Sequence, residues 1–446
     1  MNSRLLAAPL FVSMLALLAG CGGGTYQRAK IVESRDIDRF GLAEAKAGPA
    51  FGQTDRNLDL FAVLYGPPPT GIAVSRDERV FVCYPRWGER VDISVAEVTD
   101  EAGVKSNLVP IPNSQWQLYD PSTPDRIDPA THLVSVQSIT IDEENRLWIL
   151  DTGSINFGKP VAGGPKLLCY DLADERIVNV IPLSGDVVLP TTYVNDVRID
   201  LQHGEAGFAY ISDSGSEGPN GIIVVDIHGN NGEATMWRKL TGEDSVRAAP
   251  NFRHSVEGQV LQNQGRRDSG RASLSIGIDG IALSPDAETL YFCALAGETL
   301  YKVSTDYLRT PPSEEGSARE NGTPDVAEMF AQPVQIVGGM RGKRFPSDGL
   351  HADDDGRVYI TDVESNAIRV YDPRLTQPGE TLPLELVLFD KRLLWPDSID
   401  LAEGHLYVTS NQLHRSKRFR GKDQRDPPYP IFRTTVQSSR RGIRGR

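Results

Sequence analysis

The chain repeats one pattern of hydrophobic and polar positions six times. Each repeat has a polar residue, an alternating apolar segment, a polar turn and a second alternating segment. A period of two is typical of strands with one buried face, so each repeat predicts one β-hairpin. The six segments are TGIAVSRDERVFVCY from Thr70, QSITIDEENRLWILD from Gln137, NDVRIDLQHGEAGFAYISD from Asn195, DGIALSPDAETLYFCA from Asp279, DGLHADDDGRVYITD from Asp348 and DSIDLAEGHLYVTSN from Asp397.

The spacing of the repeats leaves room for two further strands in each unit. Their starts are 67, 58, 84, 69 and 49 residues apart, and segments such as KLLCYDL and GIIVVDI lie between them. Six units of four strands predict an all-β fold, a six-bladed β-propeller around a central channel, over residues 59–436. Few strand-like residues follow the last hairpin. We therefore expect Asp59–Tyr65 to complete the last blade and close the ring.

The first residues have the pattern of a bacterial-type export signal. MNSR is followed by an apolar run from Leu5 to Leu18, which is too short to span a bilayer. The run ends in the sequence LAGC, in which small residues precede Cys21, as at a lipoprotein cleavage site. We expect residues 1–20 to be a signal peptide, Cys21 to be lipidated, and residues 21–58 to form a flexible tether and N-terminal segment. This predicts an exported protein, anchored to a membrane (periplasmic face or outer membrane) or secreted.

Charge and cysteine content narrow the choice of partners. The formal net charge of −13 argues against a nucleic-acid partner, because phosphate binding needs a basic surface. The basic residues 437–446 are expected to be a disordered tail, and the protein is expected to be a monomer. Three cysteines remain beside Cys21, so at most one disulfide can form. Cys83, Cys169 and Cys293 are more simply read as buried free thiols.

Several motifs together resemble the major royal jelly protein and yellow family. They are FVCYPRW, VQSITIDEENRLWILDTG, FAYISDSG, DGIALSPDAETLYF, SDGLHADDDGRVYITD and LYVTSNQLHR, and they extend from about Leu60 to Arg433. The resemblance implies a secreted six-bladed propeller that holds a small molecule at one mouth of its channel. It says little about a reaction: some members bind amines or sterols, others are linked to pigment-precursor conversion, and bacterial members often carry an L-dopachrome tautomerase-related label.

The chain is also similar, more weakly, to the gluconolactonase and regucalcin propellers. That similarity implies a divalent metal held by a Glu, an Asn and an Asp at the starts of inner strands. Asn195 and Asp348 stand at positions like the last two. No glutamate matches the first, because FVCYPRW precedes any acid in the first blade, and this speaks against lactonase chemistry.

The first strand of each propeller blade lies against the channel, so the first residues of the six repeats form a ring around one mouth. Each hairpin reverses direction, which returns the end of its second strand to the same mouth. The ring consists of Thr70, Gln137, Asn195, Asp279, Asp348 and Asp397. The returning ends and their neighbours add Tyr84, Trp87, Asp151, Asp213, Asp362 and Asn411. One rim of the propeller therefore gathers many carboxylates and amides.

Carboxylates crowded at a concave mouth predict a cation, because like charges raise one another's pKa unless a cation lies among them. Oxygen ligands without His or Cys favour a hard ion, with Ca²⁺ ahead of Mg²⁺. An organic ammonium would satisfy the same charge, with Tyr84 and Trp87 as its aromatic face. The expected metal ligands are Asn195, Asp279, Asp348 and Asp397. The expected ligand-binding residues are Thr70, Tyr84, Trp87, Gln137, Asp151, Asp213, Asp362 and Asn411.

An aspartate at a strand end can instead brace a turn by accepting backbone hydrogen bonds. This alternative explains Asp151, Asp213 and Asp362, which follow strands, better than it explains the aspartates of the ring. His254, in the loop NFRHSVEG, is a candidate proton shuttle, but the sequence leaves its position open.

Three classes of function fit these features. The first is a propeller that binds a small molecule without turnover, selecting an amine or a metal-bridged ligand. The second is a metal-assisted lactonase or tautomerase, in which the ion polarises a carbonyl and a carboxylate moves the proton. The third is a protein-interaction platform, which would not need carboxylates gathered at one mouth. The fold by itself does not choose among them.

Overall fold

The computed structural model describes residues 27–31, 58–101, 104–262, 274–313, 331–333, 336–337, 346–375 and 382–436. The strands of these residues form six antiparallel blades whose inner strands neighbour one another in a closed ring. The predicted six-bladed β-propeller is therefore confirmed. The signal sequence, Cys21 and residues 437–446 lie outside the described residues.

Strands are numbered along the chain, beginning with β1 (Arg28–Ile31) and β2 (Asp59–Tyr65). Blade 1 contains β3 (Ile72–Val74), β4 (Val80–Cys83), β5 (Val95–Glu101) and β6 (Val104–Pro110). Blade 2 contains β7 (Val136–Ile141), β8 (Arg146–Asp151), β9 (Lys166–Asp171) and β10 (Arg176–Pro182). Blade 3 contains β11 (Val194–Asp200), β12 (Phe208–Asp213), β13 (Gly221–Asp226) and β14 (Thr235–Lys239). A separate small hairpin follows, formed by β15 (Ser255–Val256) and β16 (Gln259–Val260).

The remaining blades follow the same plan. Blade 4 contains β17 (Ile278–Leu283), β18 (Thr289–Ala294), β19 (Leu300–Ser304) and β20 (Gln332–Pro333). Blade 5 contains β22 (Leu350–Ala352), β23 (Val358–Asp362), β24 (Ala367–Tyr371) and β26 (Glu385–Phe389). Outside the blades, β21 (Ile336–Val337) and β25 (Leu382–Pro383) form a parallel pair. Blade 6 contains β27 (Pro396–Ala402), β28 (His405–Ser410), β29 (Tyr429–Thr435) and the N-terminal strand β2.

The helices of the described residues are short. The two α-helices are α1 (Thr305–Arg309) and α2 (Lys417–Arg420). Single 3₁₀ turns occur at Gln115–Gln117, Pro124–Arg126, Pro129–Thr131, Asn230–Gly232, Pro373–Leu375 and Leu413–Arg415. No helix in this part of the chain is long and apolar enough to cross a membrane.

The ring is closed by the N-terminal strand, as the sequence predicts. Strand β2 pairs antiparallel with β29 and so becomes the fourth strand of blade 6. Its central residues Ala62, Val63 and Leu64 are all buried, and Leu64 packs with Tyr429 and Ile431 in the core between blades 6 and 1. Joining the two ends of the propeller within one sheet removes the edge that an open ring would expose.

Strand β1 adds a fifth strand to blade 6, within the segment that the sequence analysis assigns to a tether. It pairs antiparallel with β2. The preceding Gln27 accepts hydrogen bonds from the amides of Asp92 and Ile93 at 3.1 and 2.9 Å, and donates to the Ile93 carbonyl at 2.6 Å. The sequence did not predict this strand because four residues outside the repeats carry too little alternation to be recognised.

The core consists of a separate hydrophobic cluster at each junction between neighbouring blades. Every blade is covered on both faces, and for this reason strands such as Val80–Cys83 are buried along their whole length. Cys83, Cys169 and Cys293 lie in these clusters as free thiols. The prediction of buried free thiols is confirmed for these three residues.

Candidate functional site

A break in strand pairing marks the ring position of most blades. The register of the inner strand shifts at Gln137, at Asn195, at Asp279 and at Asp397. In blade 5 pairing begins only at Leu350, after Asp348. A bulge leaves a residue unpaired and redirects its side chain, and all five of these ring residues line one pocket.

Small residues after the ring positions allow neighbouring blades to approach closely. A Cβ atom on Gly280 would lie 2.1 Å from the carbonyl oxygen of Asp348, and one on Gly349 would lie 2.3 Å from that of Asp397. No side chain fits at either distance. The glycines therefore set how close the aspartates of successive blades lie around the mouth.

The pocket at this mouth has a volume of about 300 Å³. We call Asp279, Asp348 and Asp397 its acidic floor. We call Trp87, Phe157 and Tyr193 its aromatic wall. The other side chains that matter here are Gln137, Asn195, Arg418 and Phe419. A pocket of this size, with apolar walls and a few converging polar groups, is typical of small-molecule sites.

The acidic floor is almost completely removed from solvent: Asp279, Asp348 and Asp397 are 3%, 9% and 5% exposed. One oxygen of each carboxylate accepts a hydrogen bond from a neutral donor. The donors are the amide nitrogens of Asn195 and Asn411 and the indole nitrogen of Trp395, the last at 2.6 Å. Oδ2 of Asp279 and Oδ1 of Asp348 accept no hydrogen bond from the described residues.

Burial determines the protonation of the floor. Desolvation raises the pKa of Asp279 and of Asp397, and the charge of Asp348 raises both further. Desolvation also raises the pKa of Asp348 to about 7, against the opposing hydrogen bond from Trp395. Three buried acids that resist ionisation together favour a proton or a cation as their partner.

The aromatic wall is a connected unit. The rings of Trp87 and Phe157 stack at 5.2 Å between centroids, and Phe157 lies at the same 5.2 Å from Tyr193. The indole of Trp87 donates to the hydroxyl of Tyr193 at 2.8 Å, and that hydroxyl donates to Oε1 of Gln137 at 2.8 Å. Phe157 has a φ of 56°, which is unfavourable for an aromatic residue, so the loop holds this ring in place against local strain.

Trp395 supports the floor from behind. It is completely buried, has a φ of 63°, and donates to Asp348. Its ring lies 5.7 Å from that of His254 and 5.9 Å from that of His414. The structure thus places His254, the candidate proton shuttle, behind Trp395 and outside the pocket lining.

Beneath the floor, polar side chains fill the channel. Arg198 donates to Asp196 at 2.7 Å and to the carbonyl of Leu350 at 2.6 Å. His351 lies 3.2 Å from Asp400, and the cavity between these residues has only about 10 Å³. That is roughly the space of one water molecule, so this part of the channel has no room for a ligand.

Three aspartates expected at the site have charged partners elsewhere. Asp151 pairs with Lys166 at 2.7 Å, Asp213 with Arg238 at 2.9 Å, and Asp362 with Arg369 at 2.7 Å. Each also accepts backbone hydrogen bonds in the turn beside it. None of the three lines the pocket, and their contacts are those of the turn-bracing alternative.

The remaining expected positions divide between the floor and the core. Asn411 lies behind the floor, where it contacts Asp397. The Thr70 hydroxyl donates to the carbonyl of Gln137 at 2.8 Å and is buried between blades. Tyr84 is completely buried and packs with Val91 in the core between blades 6 and 1. Neither Thr70 nor Tyr84 lines the pocket, because the inner strand of blade 1 has no side chain directed there.

Sequence reasoning missed several residues of the site. Tyr193 and Trp395 each stand two positions before a ring residue. Aligning the repeats reveals this shared position, so the sequence alone could have identified both residues. Phe157 lies in a loop of blade 2 and Arg418 in helix α2 of blade 6, and neither has a counterpart in the repeat. Only their convergence in the folded chain identifies them.

The arrangement does not fit the expected Ca²⁺ site. Among the residues that the structure describes, no group of three or more His, Cys, Asp or Glu side chains is placed to hold a metal ion. Asn195 also directs its amide nitrogen, and not its oxygen, toward Asp279 and toward Ser214. An amide nitrogen in that position cannot act as a metal ligand, whereas Ca²⁺ needs six to eight oxygen ligands.

Comparison with known proteins gives one family. The profile described as Major royal jelly protein matches residues 134–437. Major royal jelly protein 7 of Apis mellifera is 26% identical over 255 residues, which are 56% of this chain and 51% of that protein. Protein yellow of Drosophila melanogaster is 25% identical over 256 residues, 54% of this chain and 41% of that protein. The chain thus spans about half, or less, of the length of these relatives.

The solved structures that resemble this chain are more distant. A gluconolactonase from Xanthomonas campestris has 11% identity and a TM-score of 0.44, over 92% of this chain and 95% of that one. Regucalcin from Agrobacterium tumefaciens, described as a calcium-binding protein, has 14% identity and a TM-score of 0.40. The match covers 83% of this chain and 90% of that one. At this level of similarity neither structure indicates what this chain binds.

Proposed function

Because the chain belongs to the major royal jelly protein family, we propose that it binds a small organic ammonium compound in the pocket at the mouth of its propeller. The observation that carries this proposal is the acidic floor. Asp279 and Asp348 are almost completely buried and line a pocket of about 300 Å³, and each has one carboxylate oxygen that accepts no hydrogen bond from the described residues. A buried carboxylate without a partner is costly, and an ammonium group supplies both charge and N–H donors.

The aromatic wall completes the requirements for such a ligand. An ammonium group near the face of Trp87, Phe157 or Tyr193 is attracted by the ring electrons, and an aromatic body can stack on the same rings. Since the channel beneath the floor is filled, a ligand enters and leaves from one side. These features favour a compact aromatic amine over a long or branched cation.

Ca²⁺, the alternative occupant suggested by the sequence, is disfavoured by the amide of Asn195 and by the neutral donors on each floor carboxylate. The metal-assisted lactonase and tautomerase alternatives depend on such an ion, so the same geometry argues against them. Ca²⁺ is therefore best used as a competitor in the binding assay, where it should not displace a bound amine.

The test is calorimetric titration of the purified chain with phenethylamine and with tyramine. Wild type should bind both, and Asp279→Asn should weaken binding about tenfold or more, because a hydrogen bond to a charged group contributes ~1.5–3 kcal/mol. Asp171→Asn is the matched control: it changes the charge equally at the far end of blade 2 and keeps the oxygen that accepts from Ala173. Equal affinities of wild type and Asp279→Asn, or no binding of either amine, would refute the proposal.

We further propose that the protein is exported and held at a membrane by a lipid on Cys21. The support is the sequence of the first 21 residues, with its basic start, short apolar run and LAGC ending. A lipid at that point would place the propeller outside the cytoplasm, where its pocket meets compounds of the surroundings.

A further inference from the structure

We infer that the preferred ligand is zwitterionic, an aromatic compound with a carboxylate as well as an ammonium group, and that Arg418 binds the carboxylate. This inference rests on the proposed amine site and adds a second charged contact to it. The observation behind it is a guanidinium group that lines the pocket and has no anionic partner among the described residues.

Arg418 lies in helix α2, in the connection between β28 and β29 of blade 6, and contacts the loop that follows β8 in blade 2. Its guanidinium carbon lies 4.1 Å from the centroid of the Phe157 ring. Within the described residues this guanidinium makes no hydrogen bond and no ion pair. The ring accounts for its position, but a ring face satisfies none of its five N–H donors.

The neighbouring arginines show how this chain normally satisfies such groups. Arg415 and Arg420 both pair with Glu257, and Arg425 pairs with Asp423 at 2.6 Å. Arg418 is more deeply placed than an ordinary surface arginine, and burial lowers its pKa from the usual value. Desolvating a guanidinium without an acceptor costs free energy that a bound carboxylate would recover through two parallel hydrogen bonds.

The two charged regions of the pocket are separate. No carboxylate of the acidic floor pairs with Arg418, although all of these side chains line the same cavity. The aromatic wall adjoins both regions. Phe157 contacts Arg418 and Tyr193, and Tyr193 lies within range of the charges of Arg418 and Asp279. A ligand that places an ammonium on the floor, an aromatic body on the wall and a carboxylate near Arg418 would satisfy all three regions.

The experiment compares ligands that differ by one carboxylate: phenylalanine with phenethylamine, and tyrosine with tyramine. Wild type should bind each amino acid about tenfold more tightly than its amine. Arg418→Gln should abolish that preference, measured as the ratio of the amino-acid and amine affinities within the same variant, because the carboxylate loses its partner. The matched control is Lys417→Gln, because Lys417 is the adjacent residue, carries the same charge and is exposed, so its loss should leave the preference intact.

Arg418→Lys tests the geometry of the contact between the guanidinium and the ligand carboxylate. It also replaces Arg418→Gln in the experiment if that variant is unstable. It keeps the charge but loses the planar fork, so part of the preference should remain. Amino acids that bind no more tightly than amines in wild type, or a preference that survives in Arg418→Gln, would overturn the inference and leave the amine site standing. If neither amines nor amino acids bind, the proposed function itself is wrong.

Discussion

Replacing Asp348 by asparagine should stabilise the ligand-free protein at high pH. The substitution conserves shape, and the asparagine oxygen can still accept the hydrogen bond that Trp395 donates at 2.6 Å. What changes is the charge. Asp348 is 9% exposed, so desolvation disfavours its ionised form in the folded chain, and the charge of Asp196 adds to this effect.

The magnitude follows from the pKa of this carboxyl. Burial raises it to about 7 in the folded protein, whereas an aspartate in an unfolded chain has a pKa of ~3.9. Between these values the folded state holds more protons than the unfolded state, so stability falls as pH rises through this window. Each pH unit costs ~1.4 kcal/mol, which gives an upper limit of about 4 kcal/mol at pH 8.

The assay is scanning calorimetry of wild type and Asp348→Asn from pH 4 to pH 8 without ligand. The two melting temperatures should be similar at pH 4, where both side chains are neutral, and the variant should melt several degrees higher at pH 8. Asp171→Asn serves as control, because hydrogen bonds from backbone amides lower the pKa of Asp171 and its loss brings no such gain. If wild type and Asp348→Asn keep the same difference at every pH, the carboxyl does not titrate in this window and the reasoning is refuted.

Two further predictions concern other parts of the chain. Lys166→Met should lower the melting temperature strongly, because it leaves Asp151 buried without the partner now at 2.7 Å, and breaking a buried pair costs ~3–5 kcal/mol. Thermal unfolding measures the change in melting temperature. Lys422→Met is the control, because Lys422 is exposed and its replacement should leave the melting temperature unchanged. Equal decreases in melting temperature in both variants would contradict the prediction. Cys21→Ala should release the exported protein from the membrane fraction, which cell fractionation and immunoblotting measure. Continued membrane attachment of that variant would remove the lipid-anchor proposal.

The sequence by itself determined the architecture of the protein. Strand alternation and turn residues are local properties, and their repetition in six units is enough to predict the number of blades and the strand that closes them. Repetition also predicted the floor, because equivalent positions of successive blades must meet at one mouth. Asp279, Asp348 and Asp397 were identified for this reason.

Only the tertiary structure decided which charges are satisfied. Asp151, Asp213 and Asp362 look like the floor aspartates in sequence, but Lys166, Arg238 and Arg369 neutralise them from other strands of the same blades. Phe157 and Arg418 were likewise invisible, since they come from connecting segments that do not repeat, whereas Trp87 was already expected at the mouth. The contact between Phe157 and Arg418 depends on how the closed ring brings blades 2 and 6 together, and no local pattern of residues records that distance.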